Sequence, residues 1–528
     1  LEDAPTGLAP DEEAPIVGVL DSGINDHPLL EAAILGRVAF PAELGTADVW
    51  GHGTRVSGAA LYGDLRDLLR EDQIKPIARL VSAKLVGDDG RFYERRTLPT
   101  QMDQAIRGLW QDYGCRIFVV ALGDLRARNE PGRVGPWAAT LDELARELDV
   151  LILVSAGNRP PGGGSLLEQA ITHYPKYLLE AANRVCEPAG AINVITVGSL
   201  ANGTGVGARH QQDAHVQPIT ERLEPSPFSR SGPGAAGILK PDFVEIGGTM
   251  VFDAPSASLR WAPQVPEAGV ITLNHDYQRQ LITSGSGTSY ATPLLANKVA
   301  ALLRLFPRAS ANLIRALLVG AATIPDEAET RLRGLDTADK ARICGNGQVD
   351  WSRAAYSDDH RVVLFTEDTL AINHFAVYRV PIPQEFQSKG RRTIRVSLAF
   401  DPPVRRSRAE YIGTKMNFRL LRGCPSAEVF AHFRARTAAE GDPPGIASKF
   451  QCEMKPGSKS RDGLTLQTAA KSFVQDTSGY GDEYYLVVRC AGGWAAEQEV
   501  SQRFAAVVEL EHEPAVQLHA RIRQRIRV

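Results

Sequence analysis

The chain has 528 residues, and 59 Lys+Arg against 62 Asp+Glu leave a formal net charge of -3. That length calls for roughly two to four domains, unless one large α/β domain absorbs much of it, and the near-neutral balance argues against a general polyanion binder. No window approaches the roughly 18 to 20 apolar residues of a membrane span, and six scattered cysteines have neither the paired spacing of a zinc or redox site nor the density of a disulfide scaffold.

In chain order, LEDAPTGLAPDEE lacks an initiator Met and the basic and apolar regions of a signal peptide, so a processed chain is expected. Residues 16–21, 79–86, 116–122, 149–155 and 192–198 are short, β-branched and apolar throughout, the pattern of strands buried on both faces. Between them, 100–113 and 138–149 place apolar residues three or four apart, as helices do. This alternation predicts parallel βαβ units. Helices are also expected at 289–306 and 310–322, the second with Ser310 as N-cap, completing an α/β domain over 1–355. Beyond residue 360 the short alternating runs at 361–365, 393–400, 416–421, 484–490 and 503–509 predict an antiparallel β-sandwich over 356–528, with 433–463 as a long loop.

Three separated segments carry chemistry. In VGVLDSG (17–23) a buried strand ends in Asp21, at the edge where α/β active sites lie; alone, this also fits an Asp closing a strand into a turn. In WGHGTRVSGAAL (50–61) His52 stands between two glycines at the start of a small-residue helix; its imidazole suits proton shuttling near neutrality, although a structural histidine has the same appearance. In GTSYATP (287–293) Ser289 enters an apolar helix, which would expose its hydroxyl and aim its N–H outward; the plain alternative is a helix N-cap. A serine hydroxyl becomes a good nucleophile when a base accepts its proton, and the base needs a carboxylate to set its tautomer.

Together these segments resemble the Asp, His and Ser signatures of the subtilisin-like serine proteases, in that family's order. The resemblance implies a doubly wound, mostly parallel sheet flanked by helices, and a serine endopeptidase. Asp21 would orient, His52 act as base and then acid, and Ser289 attack the scissile carbonyl. VSAGN (154–158) matches the segment whose amide donates to the oxyanion, which implies that role for Asn158. By the same resemblance Val120, Ala121, Leu122 and Gly123 would pair with substrate backbone, and Ser155, Ala156 and Gly157 would line the specificity pocket. PSPFSRSGPG (225–234) and KPDFVEIGG (240–248) also resemble family segments, so the likeness covers most of residues 15–355.

Departures accompany the matches. Arg55 stands where the family often has a second histidine, and Ala121 replaces a usual Ser. The polar stretch 199–224 reads as an inserted loop; His210 and His215 beside Asp213 could hold a metal there, but a solvated loop is the expectation. No cofactor or required metal is expected, and scattered calcium ligands cannot be recognised from one sequence. The C-terminal HARIRQRIRV (519–528) reads as a solvated basic edge in preference to a nucleic-acid site. The C-terminal module and PSPFSRSGPG (225–234) resemble prokaryotic subtilisin-like proteases paired with an AAA-type ATPase, some of them in phage defence. The expected partners are thus a polypeptide substrate and such an ATPase, with no nucleic acid and no membrane. A cytoplasmic location is expected, with secretion as the alternative. The competing class is a catalytically silent subtilisin-like scaffold that binds polypeptide in the same groove.

Overall fold

The computed structural model describes residues 5–93, 95–130, 134–159, 172–207, 215–234, 237–434, 448–497 and 499–513. His210, Asp213 and the basic run at 519–528 lie outside them. Two compact units are formed, Leu1–Arg308 with Ala322–Val349, and Ala309–Ala321 with Asp350–Val528.

The first unit is built on a parallel sheet of seven strands. These are β1 (Ile16–Asp21), β2 (Ile34–Ala39), β3 (Arg79–Lys84), β4 (Ile117–Val120), β5 (Leu151–Ser155), β6 (Ile195–Leu200) and β7 (Phe243–Ile246). Their spatial order is β7-β6-β5-β4-β1-β3-β2, all parallel. The five apolar runs form the five central strands, because only a strand covered on both faces is apolar at every position. The two edge strands escape that pattern. ILGRVA in β2 is half-exposed and interrupted by Gly36 and Arg37, and β7 follows Pro241 and Asp242 in a short run. Helices α1 (His52–Tyr62), α2 (Leu98–Tyr113), α3 (Pro136–Leu148) and α4 (Thr288–Leu305) flank the sheet, with α1 packed on α4 and α2 on α3.

Part of the expected loop at 199–224 is ordered differently. Val216–Pro218 pairs antiparallel with Val251–Asp253, which pairs in turn with Ser258–Arg260, and this gives that polar segment backbone partners.

The second unit contains helix α5 (Ala311–Gly320) and two antiparallel sheets. Its main strands are β8 (Arg361–Ala371), β9 (Phe375–Pro381), β10 (Arg392–Phe400), β11 (Thr414–Arg422), β12 (Gln451–Cys452), β13 (Leu466–Phe473), β14 (Glu483–Gly492) and β15 (Ser501–His512). The sheets run β8-β15-β10-β13 and β9-β14-β11-β12, and side chains from both, among them Val396, Phe400, Phe418, Leu486 and Phe504, share one core. Within the stretch expected to be loop, β12 extends a sheet and Ser458–Arg461 makes a helical turn, while 435–447 lies outside the described residues.

One helix changes unit. Ser310 caps α5 as expected, accepting from Leu313 N–H at 3.2 Å, but the helix packs on β10, β15 and β13 of the second unit. Arg315, 2% exposed, donates to the Phe400 carbonyl and Thr465 hydroxyl, and Asn312 donates to Asp401, all within that unit. Its apolar period predicts burial without saying against what. The expected boundary at 355/356 is likewise replaced, since Asp350 and the helix Trp351–Ala355 group with the second unit.

A buried ion pair ties the edge of the first sheet. Lys240 is fully buried, and its Nζ donates to Asp242 Oδ2 at 2.5 Å and to the Val194 carbonyl at 3.0 Å, while Asp242 Oδ2 also accepts from Thr196 N–H at 2.7 Å. Lys240→Met leaves the carboxylate buried without its cation and is expected to cost about 3–5 kcal/mol, whereas the double change with Asp242→Asn restores much of it. Urea denaturation of the two variants against the parent measures both.

Candidate active site

Three neighbouring strands, β5, β4 and β1, end along one edge of the parallel sheet and deliver Ser155, Ala121 and Asp21 there. Ligand sites of open α/β sheets form outside such carboxyl ends. Asp21 is 1% exposed, accepts from the Ser22 N–H at 2.8 Å, and lies 2.8 and 2.9 Å from His52 Nδ1 through its two oxygens. A carboxylate only accepts, so Nδ1 carries the proton and Nε2 is left as the basic lone pair.

His52 opens α1, whose N-terminal N–H groups have no intrahelical acceptors. The buried Asp48 carboxylate supplies them. It accepts from Gly51 N–H, Thr54 N–H, the Thr54 hydroxyl and the Ser22 hydroxyl, each at 2.7 Å. Because Ser22 follows Asp21, Asp48 joins the strand end carrying the carboxylate to the helix start carrying the imidazole. Gly53 permits the approach, since a Cβ there would fall 2.1 Å from the Gly23 carbonyl oxygen. Trp50 stacks on the His52 ring at 4.8 Å and 20°, and Tyr290 meets it edge-on at 6.1 Å.

Ser289 is the second residue of α4, so its N–H lies among the unpaired donors of the first turn. Its hydroxyl donates to the Ala121 carbonyl at 3.2 Å. Asn158 sits beside it, oriented by its oxygen, as Oδ1 accepts from Thr288 N–H at 2.9 Å and the Thr288 hydroxyl at 3.1 Å. Its Nδ2 donors are thereby left over. Gly287, at φ +152°, leads the chain past the amide, and a Cβ there would press on Nδ2 at 3.0 Å. Arg230, 6% exposed, clamps the same segment by donating to the carbonyls of Asn158, Ala182 and Arg184.

The site opens on a cleft of about 620 Å³. His52, Ser289 and Asn158 border it, as do Ala121, Leu122, Gly123, Ser155, Ala156 and Gly157. Val120 does not. It is fully buried inside β4, paired with Leu20 and Val154. Among the described residues no group of three or more His, Cys, Asp or Glu side chains is placed to hold a metal ion, and no helix is long and apolar enough to cross a membrane. Asp48, Trp50, Arg230 and Tyr290 escaped the sequence reading, although an Asp placed just before a helix start is a capping signal.

The profile of the Subtilase family (Peptidase_S8) matches residues 12–347. The chain belongs to the subtilase family. This subtilase is 52% identical over 431 residues to the uncharacterized protein y4bN of Sinorhizobium fredii (strain NBRC 101917 / NGR234), which spans 81% of this chain and all of that one. Among solved structures it is similar to the protease domain of PatA, with 19% identity, coverage of 66% of this chain and 95% of that one, and a TM-score of 0.40. A cold-adapted subtilisin-like serine proteinase gives 16% identity, coverage of 66% and 92%, and a TM-score of 0.40.

In this subtilase Asp48→Ala strands four buried donors and is expected to lower stability by about 2–3 kcal/mol, with Asp48→Asn intermediate. Chemical denaturation gives the loss, and the His52 ring proton shared with Asp21 should broaden or vanish in the proton NMR spectrum of the alanine variant alone.

Proposed function

We propose that the protein is a serine endopeptidase working through an acyl-enzyme. The observation that carries this is that His52 and Ser289, from distant segments, border one cleft, with Asp21 from a third bonded to His52 Nδ1.

In the proposed reaction the Ser289 hydroxyl turns from the Ala121 carbonyl towards His52 Nε2. As its oxygen attacks the scissile carbonyl, Nε2 takes the proton and Asp21 stabilises the imidazolium. The carbonyl oxygen gains charge between the Asn158 amide and the Ser289 N–H, donors whose positions are set before the reaction by Thr288 and the helix start. His52 returns its proton to the departing amine, and water then hydrolyses the acyl-enzyme by the same route. Ala121–Gly123 would hydrogen-bond the acyl side of an extended substrate, while Ser155–Gly157 would line the pocket for its side chain. No metal or cofactor enters these steps.

The same proposal puts the enzyme in the cytoplasm, working with an AAA-type ATPase in phage defence. What supports the compartment is that all six cysteines are buried and free, a pattern suited to folding without disulfides. The ATPase and the defence role rest on the resemblance of the C-terminal module and of PSPFSRSGPG (225–234).

A fluorophosphonate probe is expected to label Ser289, with cleavage of unfolded casein by the parent and neither event in Ser289→Ala. Asn158→Ala should lower kcat by about 10²- to 10³-fold with little change in KM. A parent chain that neither labels nor cleaves would favour the silent polypeptide-binding scaffold.

A further inference from the structure

The cleft has two walls of different origin. Ala121–Gly123 and Ser155–Asn158, with Cys186 and Glu187, come from the carboxyl ends of strands and their continuations. The other wall comes from Arg55 of α1, Tyr290 of α4 and the end of the hairpin formed by Val270–Leu273 and Ile282–Gly285. If the first wall takes the acyl side of the substrate, as proposed above, the leaving side runs along the second.

Arg55 is held there at both ends. Its Nε donates to Tyr290 Oη at 2.9 Å, and the Thr272 hydroxyl donates to its carbonyl at 2.6 Å. Tyr290 is 6% exposed and wedged over Gly285, where a Cβ would stand 2.0 Å from the ring. The guanidinium is thus aimed by a side chain that cannot readily move, yet no carboxylate pairs with it among the described residues, and its two Nη atoms have no hydrogen-bond partner there. Ser284 borders the same cleft, although its own hydroxyl is buried. Nearby carboxylates bond elsewhere: Asp21 to His52, Asp48 to Ser22, Gly51 and Thr54, and Glu187, which also borders the cleft, through Oε2 to Trp137 N–H.

A guanidinium fork fixed through Nε, with both Nη donors open to the cleft, matches the two oxygens of a carboxylate. We propose that Arg55 is a specificity determinant, which selects Asp or Glu at the first or second residue following the scissile bond. This rests on the proteolytic reading, and the two can fail separately.

The experiment uses the full chain and matched peptides carrying Glu or Gln at those positions. The parent is expected to favour Glu over Gln in kcat/KM by about tenfold, with the ratio falling at high salt as a charge pair requires. Arg55→Gln should bring the ratio near one, Arg55→Lys should leave it intermediate, and Arg55→Glu should favour a Lys-containing peptide. A parent ratio of one, a ratio insensitive to salt, or one that survives in Arg55→Gln overturns the proposal. Fluorophosphonate labelling separates the two readings: a parent that labels and cleaves without preference sinks the Arg55 assignment alone, and one that never labels sinks the protease reading with it.

Discussion

The site depends on the buried Asp48 carboxylate, which no substrate would touch. A fully buried carboxylate is costly unless its oxygens are satisfied, and Asp48 meets that condition only where the start of α1 and Ser22 come together around it. Burying the charge therefore selects one arrangement of the strand end bearing Asp21 and the helix bearing His52. The same bonds cap a helix that has no side-chain cap of its own. Asp21 is left to His52 and the Ser22 N–H, as the second carboxylate carries the structural load.

On the serine side the logic is similar but uses neutral groups. Thr288 spends its N–H and hydroxyl on Asn158 Oδ1, which decides which end of that amide remains free, and its hydroxyl also accepts from Gly157 N–H at 3.1 Å. Arg230 then pins the carbonyl of Asn158 to two carbonyls near Cys186. In the proposed reaction, donors held this way need no reorganisation when charge develops on the substrate oxygen. The Ser289 hydroxyl is turned to the Ala121 carbonyl.

The second unit is stabilised separately. Its two sheets share a core of large side chains, and α5 lies on one of them through Arg315 and Asn312, whose polar ends meet carbonyls and Asp401. An arginine so deeply buried persists because each of the bonds it makes answers a group otherwise left unpaired. The unit thus has a core and a polar network of its own, as an independent module requires.

Much of this could be read before any coordinates. The five interior strands were legible because burial on both faces imposes an apolar residue at every position, and α2, α3 and α4 because a helix repeats its buried face every three or four residues. Asp21, His52, Asn158 and Ser289 were legible because each needs particular small neighbours in its own segment, a local and therefore sequence-visible demand. The edge strands β2 and β7 were not, since one open side relaxes the pattern, and neither was the unit to which α5 belongs, because periodicity reports that a face is buried and not what buries it. Arg230 and the aim of Arg55 lay further out of reach. Their partners are fixed by contacts between remote segments, as from Arg55 to Tyr290 or Arg230 to Ala182, and only folding brings those atoms within hydrogen-bonding distance.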